Sequence, residues 1–395
     1  MKKKIVFVGM SGGVDSSVSA ALLKQQGYEV VGVFMKTWHP DFLECNEEAE
    51  RLDAMRVAAH LDIPFLTFDL EKEYKKHVAD YMIAEYKAGR TPNPDVMCNR
   101  EVKFGAFFKK SISMGADYVA TGHYAITKSE KGIFSALPSL RGLRHVKNSP
   151  SQTLLLKGVD LSKDQSYFLW TLTQKELSKI LFPVGHLKKS EVRVLARKFK
   201  LPVAEKKDSQ GICFLGAVDL KEFLKHYIKS KKGVVQNEKG EKIGFHDGVV
   251  FFTLGERHGF TITKKSPIDK PYYVVGKDIK KNILIVSQHK NLALGSTNIS
   301  LLGNFSARAS RTAQDSPKQD FCLVLKNTNW TSEIPTENKE YQAQIRYHGE
   351  FPSCKIKILK SNRAELVLDR PILAAPGQSA VIYDGSLVLG GGVII

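Results

Sequence analysis

Ile5-Val-Phe-Val-Gly9-Met10-Ser11-Gly12-Gly13-Val14-Asp15-Ser16-Ser17 decides the fold of the first half of this 395-residue chain. An apolar run ends in a glycine-rich turn, and beyond it Val18, Ala21 and Leu22 recur at helical spacing up to Gly27, a residue type that terminates helices. A buried strand therefore passes into a helix through a turn of little side-chain bulk. Backbone N–H groups in such a turn point at a phosphate, and the helix N-terminus adds favourable partial charge. The stretch is neither a Walker loop, which closes on Gly-Lys-Ser/Thr, nor the dinucleotide fingerprint Gly-x-Gly-x-x-Gly.

Working outward, further β-rich runs at Glu29 to Met35, Pro64 to Leu70 and Asp117 to Ala125 alternate with amphipathic stretches at Glu47 to Leu61, Lys72 to Ala88 and Glu101 to Met114. This alternation predicts an α/β unit with a parallel sheet. A further helical region is expected over Gln165 to Phe199. After about Gly216 the texture changes to Gly, Lys and β-branched residues, with strands expected at Val249 to Leu254, Tyr272 to Val275 and Ile283 to Val286. From about Leu294, short strands at Phe321 to Leu325, Tyr341 to Tyr347, Lys355 to Ile358, Ala364 to Leu368 and Ser379 to Tyr383 have the spacing of a small barrel. The expected division is a catalytic domain over 1–216, with its helical region at about 150–200, a small β domain over 217–292, and a barrel-like domain over 293–395.

Composition narrows the function. Fifty-nine Lys and Arg against 41 Asp and Glu leave a formal charge of +18, and residues 128 to 232 hold 22 basic against 9 acidic side chains, a net +13 of that total. Such an excess in one segment points to a polyanionic partner. Five cysteines (Cys45, Cys98, Cys213, Cys322, Cys354) are odd in number and widely spaced, which disfavours a secreted disulfide framework and fits a reducing cytoplasm. Met1-Lys2-Lys3-Lys4 opens straight into Ile5, with no room for a signal peptide, and no apolar run is long enough for a membrane span. A cytoplasmic location is expected.

Ser11-Gly-Gly-Val-Asp15-Ser16 resembles the ATP pyrophosphatase loop of enzymes that split ATP into AMP and pyrophosphate. Taken together, the Gly9 to Ser17 stretch, Ala88-Gly-Arg-Thr-Pro-Asn93-Pro94-Asp95, Ala120-Thr-Gly122-His123-Tyr124, Lys163-Asp164-Gln165-Ser-Tyr-Phe168, Lys206-Lys207-Asp208-Ser, Gly211-Ile-Cys213-Phe214 and Pro376-Gly-Gln378-Ser-Ala380 make the whole chain resemble the tRNA-uridine 2-sulfurtransferases (tRNA-specific 2-thiouridylases). That resemblance implies ATP and Mg2+ at Gly9, Met10, Ser11, Gly12, Gly13, Val14, Asp15 and Ser16, with Asp15 as the hard oxygen ligand, and with Met35 and Gly122 near the adenine. It implies Cys98 as nucleophile and Cys213 as persulfide carrier, the two forming a transient disulfide. It also implies the target base at Asn93, Pro94 and Asp95, and tRNA contacts at His123, Lys163, Asp164, Gln165, Arg346, Tyr347 and Gln378. The implied partners are tRNAs for Lys, Glu and Gln and a sulfur-relay protein fed by a cysteine desulfurase.

Physical reading of the thiols supports reactivity: Cys98 stands just before an expected helix, and Cys213 follows Lys206 and Lys207, both settings that favour thiolates. Two departures from the family pattern stand out. The connection from His123 to Lys163 is long, with Arg141, Arg144 and Lys147 in the excess, and Arg346-Tyr347 is followed by His348-Gly349 rather than a further basic residue. Two rival readings are an amidating ligase of the same superfamily, which needs no thiol pair, and a non-catalytic RNA-binding module.

Overall fold

The structure, a computed structural model, describes residues 3–43, 46–129, 152–208, 211, 213–215, 219–264, 270–289 and 321–395. Cys45, residues 130–151 of the long His123 to Lys163 connection, with Arg141, Arg144 and Lys147, and the start expected for the third region fall outside them.

Strands β1 (Ile5–Gly9), β2 (Glu29–Lys36), β3 (Phe65–Asp69), β4 (Tyr118–Ala120) and a short β7 (Ile180–Leu181) form a parallel sheet in the order β3-β2-β1-β4-β7. Both faces are covered, which is why β1 reads as continuously apolar: Val6 and Val8 join one core cluster while Phe7 joins the other. The order turns outward in both directions from the β1–β4 pair, so the crevice beyond their carboxyl ends is the place where such sheets bind ligands. Helix α1 (Val14–Gln25) leaves that crevice, and α2 (Glu47–His60) follows β2. Next, α3 (Glu71–Tyr74) passes through a π-wound turn at Lys75–Ala79 into α4 (Asp80–Lys87). A second helix of this mixed kind starts as α5 (Pro94–Met97), is π-wound over Cys98–Phe107, and ends as α6 (Phe108–Ser113).

The helical region expected over 165–199 is interrupted. A 3-10 turn at Ser166–Leu169, α7 (Gln174–Leu177) and strand β7 precede α8 (Lys189–Lys198), because Ile180 and Leu181 pair with Val119 and Ala120 instead of continuing a helix. The run expected as one strand over 117–125 likewise ends at Ala120, and its continuation, β5 (Ala125–Ser129), pairs with β6 (Thr153–Lys157).

After α9 (Leu220–Lys225), a second sheet in the order β10-β9-β8-β12-β11 combines β8 (Gly233–Gln236), β9 (Lys242–His246), β10 (Phe260–Ile262), β11 (Tyr273–Asp278) and β12 (Ile283–Ser287). Of the strands expected here, Val249 to Leu254 is instead a 3-10 turn over Val249–Phe251 that buries Phe251 and Phe252. The last region is a closed barrel of β13 (Phe321–Trp330), β14 (Tyr341–Gln344), β15 (Ser353–Leu359), β16 (Arg363–Leu368), β17 (Ser379–Asp384) and β18 (Leu387–Ile394), shut by the β13–β18 pairing. The β5–β6 hairpin attaches to β18 through Leu156 and Leu387, so this sheet carries two strands from the first half of the chain. Strand β18 went unread in the sequence because Gly390, Gly391 and Gly392 interrupt it. They are needed there, since a Cβ on Gly390 would lie 2.1 Å from the Asn329 oxygen and one on Gly391 2.4 Å from the Ala380 oxygen.

Candidate nucleotide and thiol site

The turn after β1 opens at the crevice. Gly13 is the N-cap of α1 and supplies no side-chain cap, so N–H groups of the first turn lack an intrahelical partner. Ser16 Oγ meets the Ser11 amide at 3.3 Å and donates to the Gly13 oxygen at 3.1 Å, tying the turn together. Gly12 has φ +69°, and a Cβ there would sit 2.3 Å from the Glu50 oxygen. Met10 and Val14 bury their side chains in the core, so only their main chain can face a phosphate. Met35 is also buried, its Cε 3.0 Å from where a Gly9 Cβ would stand. An uncapped helix start beside a glycine turn with no room for side chains fits a nucleotide triphosphate.

Asp15 is held between two side chains. Its carboxylate receives Lys189 Nζ at 2.7 and 2.9 Å and the Tyr124 hydroxyl at 2.8 Å. Lys189 also reaches Asp208 at 2.9 Å, which in turn holds Lys163 and Arg193. Burial works against the charge on Asp208, yet the bonds from Lys189 and Lys163 outweigh it and bring its pKa down to about 2. Among the described residues no group of three or more His, Cys, Asp or Glu could hold a metal, so Asp15 would hold Mg2+ only together with oxygens of the nucleotide. A lysine ammonium thus stands beside Asp15 at the turn.

The end of β4 joins this turn to the thiols. A Cβ on Gly122 would fall 2.7 Å from the Ser16 amide nitrogen and 2.8 Å from the Asp15 carbonyl carbon, so the chain packs directly on the first turn of α1. The next residue, His123, bonds Thr121 Oγ1 through Nδ1 at 2.7 Å and lies 3.5 Å from Lys103 Nζ through Nε2. Burial and the neighbouring Lys103 hold its pKa well below the usual range. Gly122→Ala is therefore expected to leave a folded protein whose KM for ATP rises about tenfold, equivalent to about 1.4 kcal/mol, measured by pyrophosphate release at varied ATP.

Cys98 and Cys213 meet here with their sulfurs 3.4 Å apart, about 1.4 Å short of closing to a disulfide. Cys213 is held by its neighbours: its amide donates to Asp95 Oδ1 at 2.9 Å, and the Tyr74 hydroxyl donates to its carbonyl at 2.8 Å. Phe214 adopts φ +67°, a left-handed conformation costly for a bulky residue, and His39 fixes its carbonyl at 2.8 Å.

The physical grounds given for the two thiols need correction. Cys98 is not at a helix start but one turn inside it, fully buried, and burial pushes its thiol up. Cys213 is pulled down, first by the hydrogen bond from Cys98 and then, against burial, by Lys103. Lys206 is paired with Asp53 at 2.8 Å.

Among the other expected contacts, Asn93 caps α5 by accepting from the Val96 amide at 3.1 Å, with Pro94 in the first helical turn. Asp95 is raised by burial. Asp164 is turned inward, accepting from the Gly158 amide, the Ser166 amide and the Ser166 hydroxyl, so it holds its own loop. Gln165 likewise accepts from the Tyr124 amide at 3.0 Å. Arg346 spends its terminal nitrogen on the Leu254 and Leu373 carbonyls, and Gln378 Oε1 is buried without a partner among the described residues. Tyr347 faces outward, its ring 4.5 Å from that of Phe168, and Lys163 stays part-exposed. Sequence reasoning missed Lys103, Lys189, Tyr124, Tyr74 and His39. Only Lys103 carried a local signal, as a cation flanked by apolar Val102 and Phe104.

Residues 4–217 match a family model described as the tRNA methyl transferase HUP domain, 221–288 one described as the tRNA methyl transferase PRC-barrel domain, and 321–394 one described as the aminomethyltransferase beta-barrel domain. The chain is 42% identical to tRNA-specific 2-thiouridylase MnmA of Streptococcus thermophilus over 99% of its own length and 95% of that protein. With the Nitrosomonas europaea protein of the same name it shares 42% over 100% of this chain and 99% of the other. It belongs to the tRNA-specific 2-thiouridylase family. A solved 4-thiouridine synthetase in complex with RNA and bound ATP is 17% identical, with a TM-score of 0.32, covering 56% of this chain and 50% of that one. Membership of the 2-thiouridylase family spans all three regions, and no helix among the described residues is long and apolar enough to cross a membrane.

Proposed function

We propose that this protein is an ATP-dependent tRNA-uridine 2-sulfurtransferase that replaces the C2 oxygen of the wobble uridine by sulfur. The observation that carries the reading is the end of β4, where Gly122 packs on the glycine turn and His123 faces the Lys103 and cysteine cluster. One strand end thus joins a phosphate-binding turn to two touching thiols. Neither an amidating ligase nor a passive RNA binder has use for that pair, and methyl transfer, named in two of the domain descriptions, gives it no role.

The chemistry follows from the substrate. A uridine C2 carbonyl is a weak electrophile, so its oxygen first takes the AMP moiety of ATP and pyrophosphate departs. The terminal sulfur of a Cys213 persulfide then attacks C2, and AMP leaves with the old C2–O electron pair. Cys98, deprotonated, attacks Cys213 Sγ, breaking the bond to the transferred sulfur and leaving a Cys98–Cys213 disulfide. Two equivalents of thiol, or one dithiol, reduce it for the next turnover. Asp95, its carboxyl raised by burial and accepting from the Cys213 amide, is placed to exchange a proton with the base. Lys189 contributes positive charge beside the triphosphate, with Mg2+ carried in by ATP. The uridine reaches the site by leaving its stack, a modest cost in a single-stranded loop. The tRNAs are those for Lys, Glu and Gln, a sulfur-relay protein loads Cys213, and the reaction belongs to the cytoplasm.

Purified protein given ATP, a persulfide donor and unmodified tRNA is expected to form 2-thiouridine at the wobble position, read by nucleoside mass spectrometry. Pyrophosphate release that does not depend on tRNA, with no thiolated nucleoside, would overturn the assignment. Because several basic side chains of the 128–232 segment are committed to Asp208, Asp53 and Glu205, fewer phosphates are neutralised than the charge count suggests. We expect log Kd for tRNA to rise with log salt by about 0.7 to 0.9 per phosphate contacted, with a total slope well below that of 22 contacts. Filter binding across salt concentrations measures it.

A further inference from the structure

We propose that Lys103 is a further catalytic residue of sulfur transfer, holding the anion that the Cys213 sulfur bears before and during attack. The inference rests on the thiolation reading above and assigns a role to a residue outside the family motifs.

The winding of the helix is the first argument. In an α-helix, residue i+5 lies about 140° round the axis from residue i, so Cys98 and Lys103 would point to different sides. The segment Cys98–Phe107 is π-wound, and its i→i+5 bonding brings residues five apart close to one turn of each other. The Lys103 ammonium lies 3.5 Å from His123 Nε2 and 5.7 Å from the centre of the ring of Phe214, the residue next to Cys213, and its positive charge lowers the Cys213 thiol. With His123 neutral, its Nε2 accepts from the ammonium and competes for no negative charge. The two sulfurs, and less so Asp95, are the groups whose negative charge favours the Lys103 ammonium.

The second argument is the charge on the sulfur through the cycle. Cys213 is an anion as thiolate when it receives sulfur, and an anion again as persulfide when it attacks C2. In the disulfide that ends a turnover neither sulfur is charged, and Lys103 is left in a half-buried site without its anion. Reduction by a dithiol, which gives two electrons to the pair and becomes a cyclic disulfide, restores that anion. Lys103 thus favours both the reactive form and the return to it.

The test uses the full-length reduced protein and needs no tRNA. The rate of Cys213 alkylation by iodoacetamide is followed from pH 5 to 9 by peptide mass spectrometry, with Asp95, Cys98, Tyr74 and His123 as the other titratable groups facing the sulfur. Lys103→Met is expected to move the profile to higher pH and to lower the rate at pH 7 about tenfold. Lys103→Arg should restore most of it. In dithiothreitol buffers Lys103→Met should also shift the dithiol–disulfide equilibrium about tenfold toward the disulfide, about 30 mV. Lys103→Gln serves in the same assays if the Met variant does not fold. Profiles superimposable on wild type in a folded variant lacking the charge, or equal losses in Lys103→Arg and Lys103→Met, would overturn the proposal. Absence of thiolation by the wild type would instead overturn the underlying reading, and leaves the alkylation result standing.

Discussion

Cys213→Ser is expected to reduce 2-thiouridine formation by about a thousandfold or more, because a serine oxygen cannot carry a persulfide. Pyrophosphate release in the presence of tRNA should survive, since nothing at the glycine turn depends on the sulfur. Cys98→Ser should likewise lose multiple turnover. The base should accumulate joined to Cys213 through a disulfide, because Cys98 is the group that breaks that bond. Cys322 and Cys354 behave differently. Cys354 lies buried in the barrel and burial pushes its thiol to about 12, which makes it inert at neutral pH, and Cys322 stands on β13 in the same barrel. Serine at either position should leave thiolation intact. Two assays on each variant, nucleoside mass spectrometry and pyrophosphate release, decide the matter. Thiolation at the wild-type rate by Cys213→Ser would sink the scheme.

Asp15→Asn should have the second largest effect, a fall of about a hundredfold or more in pyrophosphate release with tRNA affinity nearly unchanged. The amide keeps the shape of the side chain and removes the charge that fixes Lys189 at 2.7 and 2.9 Å. Lys189 would then be held by Asp208 alone, at 2.9 Å, and its ammonium would shift away from the triphosphate. Lys189→Met should show a similar loss. If Asp15→Asn turned over ATP normally while Lys189→Met did not, the carboxylate would be reduced to a bystander and the lysine would carry the step.

The phosphate turn was legible because its signals are local: an apolar run, glycines and a helix start within thirteen consecutive residues. The cysteine pair was legible only through motifs, since the local physics offered for each thiol pointed to the wrong cause. Helix position was to lower Cys98, and Lys206 with Lys207 to lower Cys213; in the fold Cys98 is raised by burial, and Lys103 acts on Cys213. Lys103 was hidden by its spacing, because five residues along an α-helix is the wrong face and nothing in the sequence announces π winding. Lys189 was hidden by distance, lying 174 positions from Asp15. The short strands β8, β9 and β10 went unread for want of apolar alternation long enough to register. Arg346 and Asp164 came as tRNA contacts from the family resemblance, and nothing local in the sequence shows that tertiary packing turns both toward main-chain partners.

The β5–β6 hairpin has a consequence for how the chain is made. Leu154 and Leu156 belong to the core of the barrel, among Leu323, Ala380 and Leu387, yet Leu156 and its strand partner Leu387 are 231 positions apart. At about 5 to 20 residues per second of synthesis, the hairpin waits roughly 10 to 50 seconds for the strand that covers it. Throughout that interval a leucine face and an open strand edge are available to any neighbouring nascent chain. The N-terminal half therefore leaves the ribosome unfinished, and a fragment that stops before residue 321 keeps that bare face permanently.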